Sequence, residues 1–159
     1  MDTLDDLLLE DIAYELDDYV SSAPNPKDEY RKNVIPFFIT AIKCFNDILN
    51  TQEKHILSNI ETAWNASGSI DTYTLEKIRK EILSYKESLP IDNVMHRRLA
   101  SCLEFLTYEF VSESELEVSC IWLYISGLIH ASISRSWLYD NIVERYSQYL
   151  SDDVKGRNV

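Results

Sequence analysis

Residues 3–20 read TLDDLLLEDIAYELDDYV, and apolar side chains recur along this stretch at spacings of three and four residues. A helix has 3.6 residues per turn, so this spacing places the apolar side chains on one face. The members of that face are Leu4, Leu8, Ile12, Leu16 and Tyr19. Acidic residues fill the other positions, and the stretch therefore predicts an amphipathic α-helix from about Thr3 to Val20.

The helical period continues through the rest of the chain. Only three glycines occur, and no sustained alternation of polar and β-branched residues predicts a strand. Pro36 should break or kink the second helix, and residues 151–159 should form a flexible tail. The sequence thus predicts an all-α fold in which residues 1–150 form a single domain of about six to seven helices. After a loop at 21–26, the later helices are expected over about 27–50, 51–66, 72–89, 91–111, 115–132 and 134–150.

Three cysteines, Cys44, Cys102 and Cys120, are widely spaced, and each lies in an apolar helical pattern. This favours buried, reduced thiols over a disulfide framework. The N-terminal residues are acidic where a signal peptide would be basic and then apolar, and the apolar stretch 120–133 is too short for a membrane span. We therefore expect a soluble, cytoplasmic protein.

Negative charge is concentrated at the start of the chain. The first twenty residues hold eight carboxylates, and no lysine or arginine precedes Lys27. The whole chain has 27 acidic and 15 basic residues, a net charge of -12, so this one segment carries about two thirds of the imbalance. Two interpretations are open. The acidic face is either simply solvated, or it is relieved by a cationic partner, because lysine or arginine four residues along the helix is missing.

No arrangement of residues for catalysis or cofactor binding stands out. None of His55, His96 and His130 has a glutamate three residues before it, as a di-iron bundle would need, and no arginine precedes a histidine at the spacing of HEPN-type ribonucleases. Cys-x-x-Cys pairs and glycine-rich phosphate loops are also missing. We therefore expect no enzyme, cofactor or metal site, and no nucleic acid partner. A nucleophile beside a base that is distant in sequence is the remaining enzymatic alternative.

Small, acidic, helical, glycine-poor proteins without a catalytic motif resemble bacterial immunity proteins of contact-dependent growth inhibition and related polymorphic toxin systems. This resemblance implies a binding protein that neutralises a toxin domain. The segment from Ile56 to Ser134 has a second resemblance. Its helix ending at Trp64, the Leu89-Pro90 pair and the two apolar helices that follow are similar to the uncharacterised bacterial YjaG-like helical family. That likeness implies a bacterial helical bundle and no particular mechanism.

These observations predict an immunity-type inhibitor whose acidic surface docks on a basic toxin domain, a nuclease, with carboxylates at phosphate positions. Exposed tyrosines of the first or seventh helix would add apolar anchors. The alternative is a helical adaptor or regulatory protein that forms a homodimer through the apolar faces of the sixth and seventh helices. The candidate partner-binding residues are Asp5, Asp6, Asp11, Glu15 and Asp18, with Glu113, Glu115 and Glu117 as a second acidic set.

Overall fold

The computed structural model describes residues 5–112 and 116–156. Within these ranges the regular structure is helical and no strand occurs, so the prediction of an all-α fold is confirmed. Seven of the described helices have nine residues or more, as expected. In chain order the α-helices are α1 (Asp6–Ser21), α2 (Pro26–Glu29), α3 (Ile35–Lys43), α4 (Thr51–Trp64), α5 (Thr72–Ser88), α6 (Val94–Phe105), α7 (Cys120–His130), α8 (Arg135–Tyr146) and α9 (Asp152–Gly156).

The contacts between residues group the chain into two compact units. The continuous unit is Lys27–Phe110. The two-segment unit comprises the described parts of Met1–Pro26 and Val111–Val159. A single domain over residues 1–150 stays a prediction.

In the two-segment unit, α1 packs against α7. Of the apolar face predicted for the first helix, Leu8, Ile12 and Leu16 are buried, Tyr19 is half-buried, and Leu4 lies outside the described residues. Leu9 and Ala13, which were not assigned to that face, also have no exposed surface. Ser119 joins the two helices. Its Oγ accepts a hydrogen bond from the Trp122 N–H, which caps α7, and donates to the Ala13 carbonyl at 3.3 Å. A single hydroxyl therefore both starts α7 and fixes it to α1.

In the continuous unit, α4 and α5 pack together and α6 packs against both. The fully buried Trp64 at the end of α4 donates from its indole Nε1 to the Leu106 carbonyl at 2.7 Å. Tyr30 meets the Trp64 ring edge-on, with centroids 5.7 Å apart. A large aromatic side chain thus fills the core and its polar atom is satisfied, as burial requires.

The second predicted helix differs from the structure around Pro36. A π-helix covers Tyr30–Val34, and the Ile35 N–H donates to the Tyr30 carbonyl, five residues back. Pro36 has no N–H and so cannot make the α-helical bond to residue 32, and it lies in the first turn of α3. The expected disturbance is confirmed, but it takes the form of a wider helical turn. The expected extension to Asn50 is wrong, because α3 ends at Lys43 and turns follow.

Four further boundaries are corrected. The fifth predicted helix, expected over about 91–111, covers only Val94–Phe105. Within the described residues, the helix α7 that corresponds to the sixth prediction begins at Cys120, because Glu117 has φ +62° and lies outside the helical region. The seventh ends at Tyr146, where a 3-10 turn replaces its last residues. Residues 152–156, expected to belong to a flexible tail, form α9. Val154 of α9 is buried, and its carbonyl accepts a hydrogen bond from the Tyr139 hydroxyl.

Candidate functional site

The net charge belongs almost entirely to the two-segment unit. Over Met1–Pro26 and Val111–Val159 the sequence has 15 acidic and 4 basic residues, whereas Lys27–Phe110 has 12 and 11. The net charges are therefore -11 and -1. A field of this size attracts cations to one unit and leaves the other nearly neutral.

Two of the predicted partner-binding carboxylates have roles within the chain. The Asp5 side chain caps α1 by accepting a hydrogen bond from the Leu7 N–H at 2.9 Å. Asp6 forms an ion pair with Arg135, the first residue of α8, which the fold brings next to the start of α1. The first helix therefore has a basic partner that is absent from its own sequence, which corrects the inference from missing i+4 compensation.

The Glu15 carboxylate is also hydrogen-bonded within the chain. One carboxylate oxygen accepts from the Ser151 N–H at 2.7 Å, and the other accepts from the Ser151 hydroxyl at 2.9 Å. This pair of bonds ties α1 to the residue immediately before α9. Replacing Glu15 would therefore disturb the structure as well as any interface.

The remaining acidic residues of α1 differ in exposure. Asp11 and Glu10 are half-buried, and Asp17 is buried at 2% exposure, so it is not part of the solvated face. Asp18 is exposed. Among the residues that the structure describes, neither the Glu10 nor the Asp18 carboxylate makes a hydrogen bond or ion pair. Asp18 is thus the predicted site residue best placed to meet a partner, and Glu10 is a residue that sequence reasoning missed.

The second acidic set is described only in part. Glu113 and Glu115 lie outside the described residues. Glu117 is exposed and adopts a left-handed backbone conformation just before α7.

Asp18 lies on the wall of a groove in the two-segment unit. The groove has a volume of about 610 Å³, and its walls include Glu15, Tyr19, Ser22, Gln148 and Tyr149. The structure therefore brings carboxylates of α1 and tyrosines from two chain segments to one surface. The Tyr19 and Tyr149 rings stack face to face, with centroids 3.7 Å apart and planes 9° apart.

The tyrosines of the first and seventh predicted helices differ in accessibility. Tyr149 is 39% exposed and Tyr19 is half-buried, whereas Tyr139 and Tyr146 are buried. Burial raises the pKa of Tyr146 to about 12. The expected exposed tyrosine anchors are therefore represented in this groove by the Tyr19–Tyr149 pair.

A separate polar cluster in the continuous unit surrounds the carboxylate of Glu53, which has no exposed surface. It accepts hydrogen bonds from the Asn50 N–H at 2.9 Å and the Tyr85 hydroxyl at 2.9 Å, and it meets His96 Nδ1 at 2.8 Å. The Asn50 side chain accepts from the Glu53 N–H and donates to the Tyr85 hydroxyl, both at 2.8 Å. Burial raises the pKa of Tyr85.

This cluster is a capping box at the start of α4, extended by a tyrosine and a histidine. The Asn50-x-x-Glu53 pattern is visible in the sequence and could have been recognised, but its two distant partners could not. Both carboxylate oxygens are bonded within the chain, so the geometry assigns Glu53 a structural role.

In the part of the chain that the structure describes, the cysteines and metal-ligating groups add no second site. Cys102 and Cys120 are buried as expected, but Cys44 is exposed, because α3 ends just before it. Within residues 5–112 and 116–156, no group of three or more histidine, cysteine or acidic residues is placed to hold a metal ion. Over the same ranges, no helix has both the length and the apolarity needed to cross a bilayer.

Comparison of the chain with protein-family models, with curated proteins and with solved structures gave no match.

Proposed function

We propose that this protein is a cytoplasmic, immunity-type inhibitor that binds a basic toxin domain through its two-segment unit. The observation that carries the proposal is the coincidence of two features in that unit. It holds a charge of -11, and it contains a groove where the Asp18 carboxylate lies near the stacked rings of Tyr19 and Tyr149.

The negative charge and the aromatic groove would act at different stages of binding. A strong negative field accelerates the approach of a cationic protein and falls off with salt. Desolvated aromatic side chains contribute most of the affinity once contact is made, and tyrosine is common among such anchors. Asp5, Asp6, Asp11 and Glu15 would contribute to the field, although some are bonded within the chain. Asp18 would pair directly with the partner.

The choice of a toxin nuclease as partner rests on the resemblance to immunity proteins. A nuclease presents a basic surface to phosphates, and a carboxylate-rich surface can occupy the same positions. A bound inhibitor of this kind would exclude the nucleic acid.

The adaptor alternative needs apolar faces that are free to pair. The residues of α7 and α8 at helical spacing, including Ile121, Ile125, Leu138 and Ile142, are fully buried within the chain. A homodimer would instead depend on exposed apolar residues next to and within α7, which are Leu116, Val118 and Leu123. Its association should respond little to salt.

The test is to capture partners from lysate of the source bacterium with the tagged full chain, identify them, and purify the retained protein. The proposal requires a basic protein with nuclease activity that is inhibited stoichiometrically, with an association rate that falls as salt rises. The Asp18→Asn variant should bind more weakly. Asp92→Asn is the matched control, because it removes one exposed carboxylate from the continuous unit. Salt-insensitive self-association without such a partner would favour the adaptor.

A further inference from the structure

We propose that the groove of the two-segment unit binds an arginine side chain of the partner, with the guanidinium lying on the exposed part of Tyr149 and paired with Asp18. This inference rests on the proposed function and specifies the chemistry of its contact. It is argued from the shape of the aromatic pair, from the hydrogen-bonding groups around it and from the charge of the unit.

The aromatic pair offers a rigid, partly open surface. Tyr19 and Tyr149 cover one face of each other at 3.7 Å, and Tyr19 also lies beside the buried Tyr146, with centroids 6.5 Å apart. Tyr149 is stacked on Tyr19 and still keeps 39% of its surface exposed. A planar cation is attracted to the face of such a ring, and little side-chain entropy is lost because the ring is already ordered.

The groove walls offer hydrogen-bond acceptors to a donor-only ligand. The Asp18 carboxylate only accepts, the Ser22 hydroxyl and the Gln148 amide can accept as well as donate, and the Glu15 carboxylate adds charge although its oxygens are bonded to Ser151. A guanidinium has five N–H donors and no acceptor, so it matches this set. An anionic ligand such as phosphate would be repelled by both carboxylates.

Arginine fits the groove better than lysine does. A guanidinium is planar and weakly hydrated, so it stacks on an aromatic ring and pairs with a carboxylate at the same time, whereas an ammonium group holds its water more tightly. The groove is open to solvent, so the peptide backbone next to the side chain can also be accommodated.

The experiment is a titration of the isotope-labelled full chain, followed by NMR, with three capped single amino acids as probes. The probes are the N-acetyl methylamides of arginine, of lysine and of citrulline, the neutral isostere of arginine. We expect the resonances of Asp18, Tyr19 and Tyr149 to shift with the arginine probe, at millimolar concentrations. The lysine probe should bind several-fold more weakly, and the citrulline probe should give no shift at these residues.

Variants separate the two parts of the contact. Asp18→Asn should weaken arginine binding about two- to five-fold, the range for an exposed ion pair. Tyr149→Leu should do the same by removing the ring, while Tyr149→Phe should retain binding, since the ring face is kept. Asp92→Asn is the control for a general change in charge and should have no effect.

Two outcomes would overturn the inference. One is equal binding of the arginine and lysine probes, and the other is the same loss from Asp92→Asn as from Asp18→Asn. The same experiments distinguish failure of the groove contact from failure of the proposed function. If the captured partner still binds in a salt-dependent way while the arginine probe does not, only the groove contact is wrong. If the probe binds as expected but no basic toxin domain is inhibited, the groove is retained and the proposed function is rejected.

Discussion

Removal of the Glu53 carboxylate should be among the most damaging single changes in the continuous unit. Glu53→Ala removes the acceptor for the Asn50 N–H, the Tyr85 hydroxyl and His96 Nδ1. Asn50 is exposed and His96 is half-buried, so water can reach both of them. Tyr85 is only 6% exposed, and its hydroxyl proton would lose its partner.

The expected loss of unfolding free energy follows from three contributions. A stranded buried donor costs about 1–3 kcal/mol. Loss of the bond from the Asn50 N–H, which is one half of the capping box, costs about 1 kcal/mol, while the Asn50 side chain still caps α4 through the N–H of residue 53. The space left by the side chain adds roughly 1 kcal/mol. We therefore expect Glu53→Ala to destabilise the protein by about 3–5 kcal/mol.

Glu53→Gln should cost less, about 1–3 kcal/mol, because the side-chain volume is kept and the amide oxygen can still accept from the Asn50 N–H. The new NH₂ group can donate to His96 Nδ1 after a change of tautomer. The Tyr85 hydroxyl already accepts from the Asn50 side chain, so its proton loses the carboxylate acceptor, and the strength added by the negative charge is lost as well. The order of the two variants is thus a consequence of the geometry.

Urea unfolding followed by far-ultraviolet circular dichroism measures these differences. Glu87→Ala, at an exposed position of α5, is the control and should change stability by less than about 0.5 kcal/mol. A loss below about 1 kcal/mol for Glu53→Ala, or equal losses for the two Glu53 variants, would show that the buried hydrogen bonds of Glu53 do not contribute this stability.

Three further predictions concern thiols, acid and the core. At pH 8 a thiol reagent should modify the exposed Cys44 quickly and Cys102 only on unfolding, because burial raises the pKa of Cys102 to about 12. Rapid labelling of the folded Cys44→Ser variant would contradict this. The hydrogen bond from Thr72 lowers the pKa of Glu109 below its usual 4.5, so the stabilisation from that carboxylate is present above pH 4.5 and is lost as the pH falls through the lowered pKa. Thr72→Val should therefore flatten the acid side of the stability–pH curve, and an unchanged slope would count against it. Trp64→Phe should lower the unfolding free energy by about 2–4 kcal/mol in urea, through a lost hydrogen bond and a cavity, and a neutral result would show that the site repacks.

The fold class could be predicted from the sequence because helical periodicity is a local property. Each of the seven predicted helices has a counterpart, and Asp71 caps α5 by accepting a hydrogen bond from the Thr74 N–H. Helix ends were harder to predict. The left-handed conformation of Glu117 and the π-helix before Pro36 depend on how neighbouring segments pack, and neither follows from residue preferences.

The candidate site was harder to predict from the sequence, since its groups come from distant parts of the chain. The Asp6–Arg135 and Glu15–Ser151 interactions join residues 129 and 136 positions apart. A search for compensating charges at i+4 cannot detect them. The stacking of Tyr19 on Tyr149 also joins distant parts of the chain. The sequence therefore indicated an acidic surface, but it did not indicate which carboxylate is left for a partner.

The two-segment unit also has a consequence for biosynthesis. Its α1 leaves the ribosome first, but the Ser119 hydroxyl that bonds to the Ala13 carbonyl is synthesised 106 residues later. The whole continuous unit is translated in between. Chains grow at about 5–20 residues per second, so the apolar face of α1 waits for several seconds before α7 can cover it. During that interval we expect the dense carboxylates of α1 to keep the nascent segment hydrated and to oppose premature association, because excess charge favours a soluble, monomeric state.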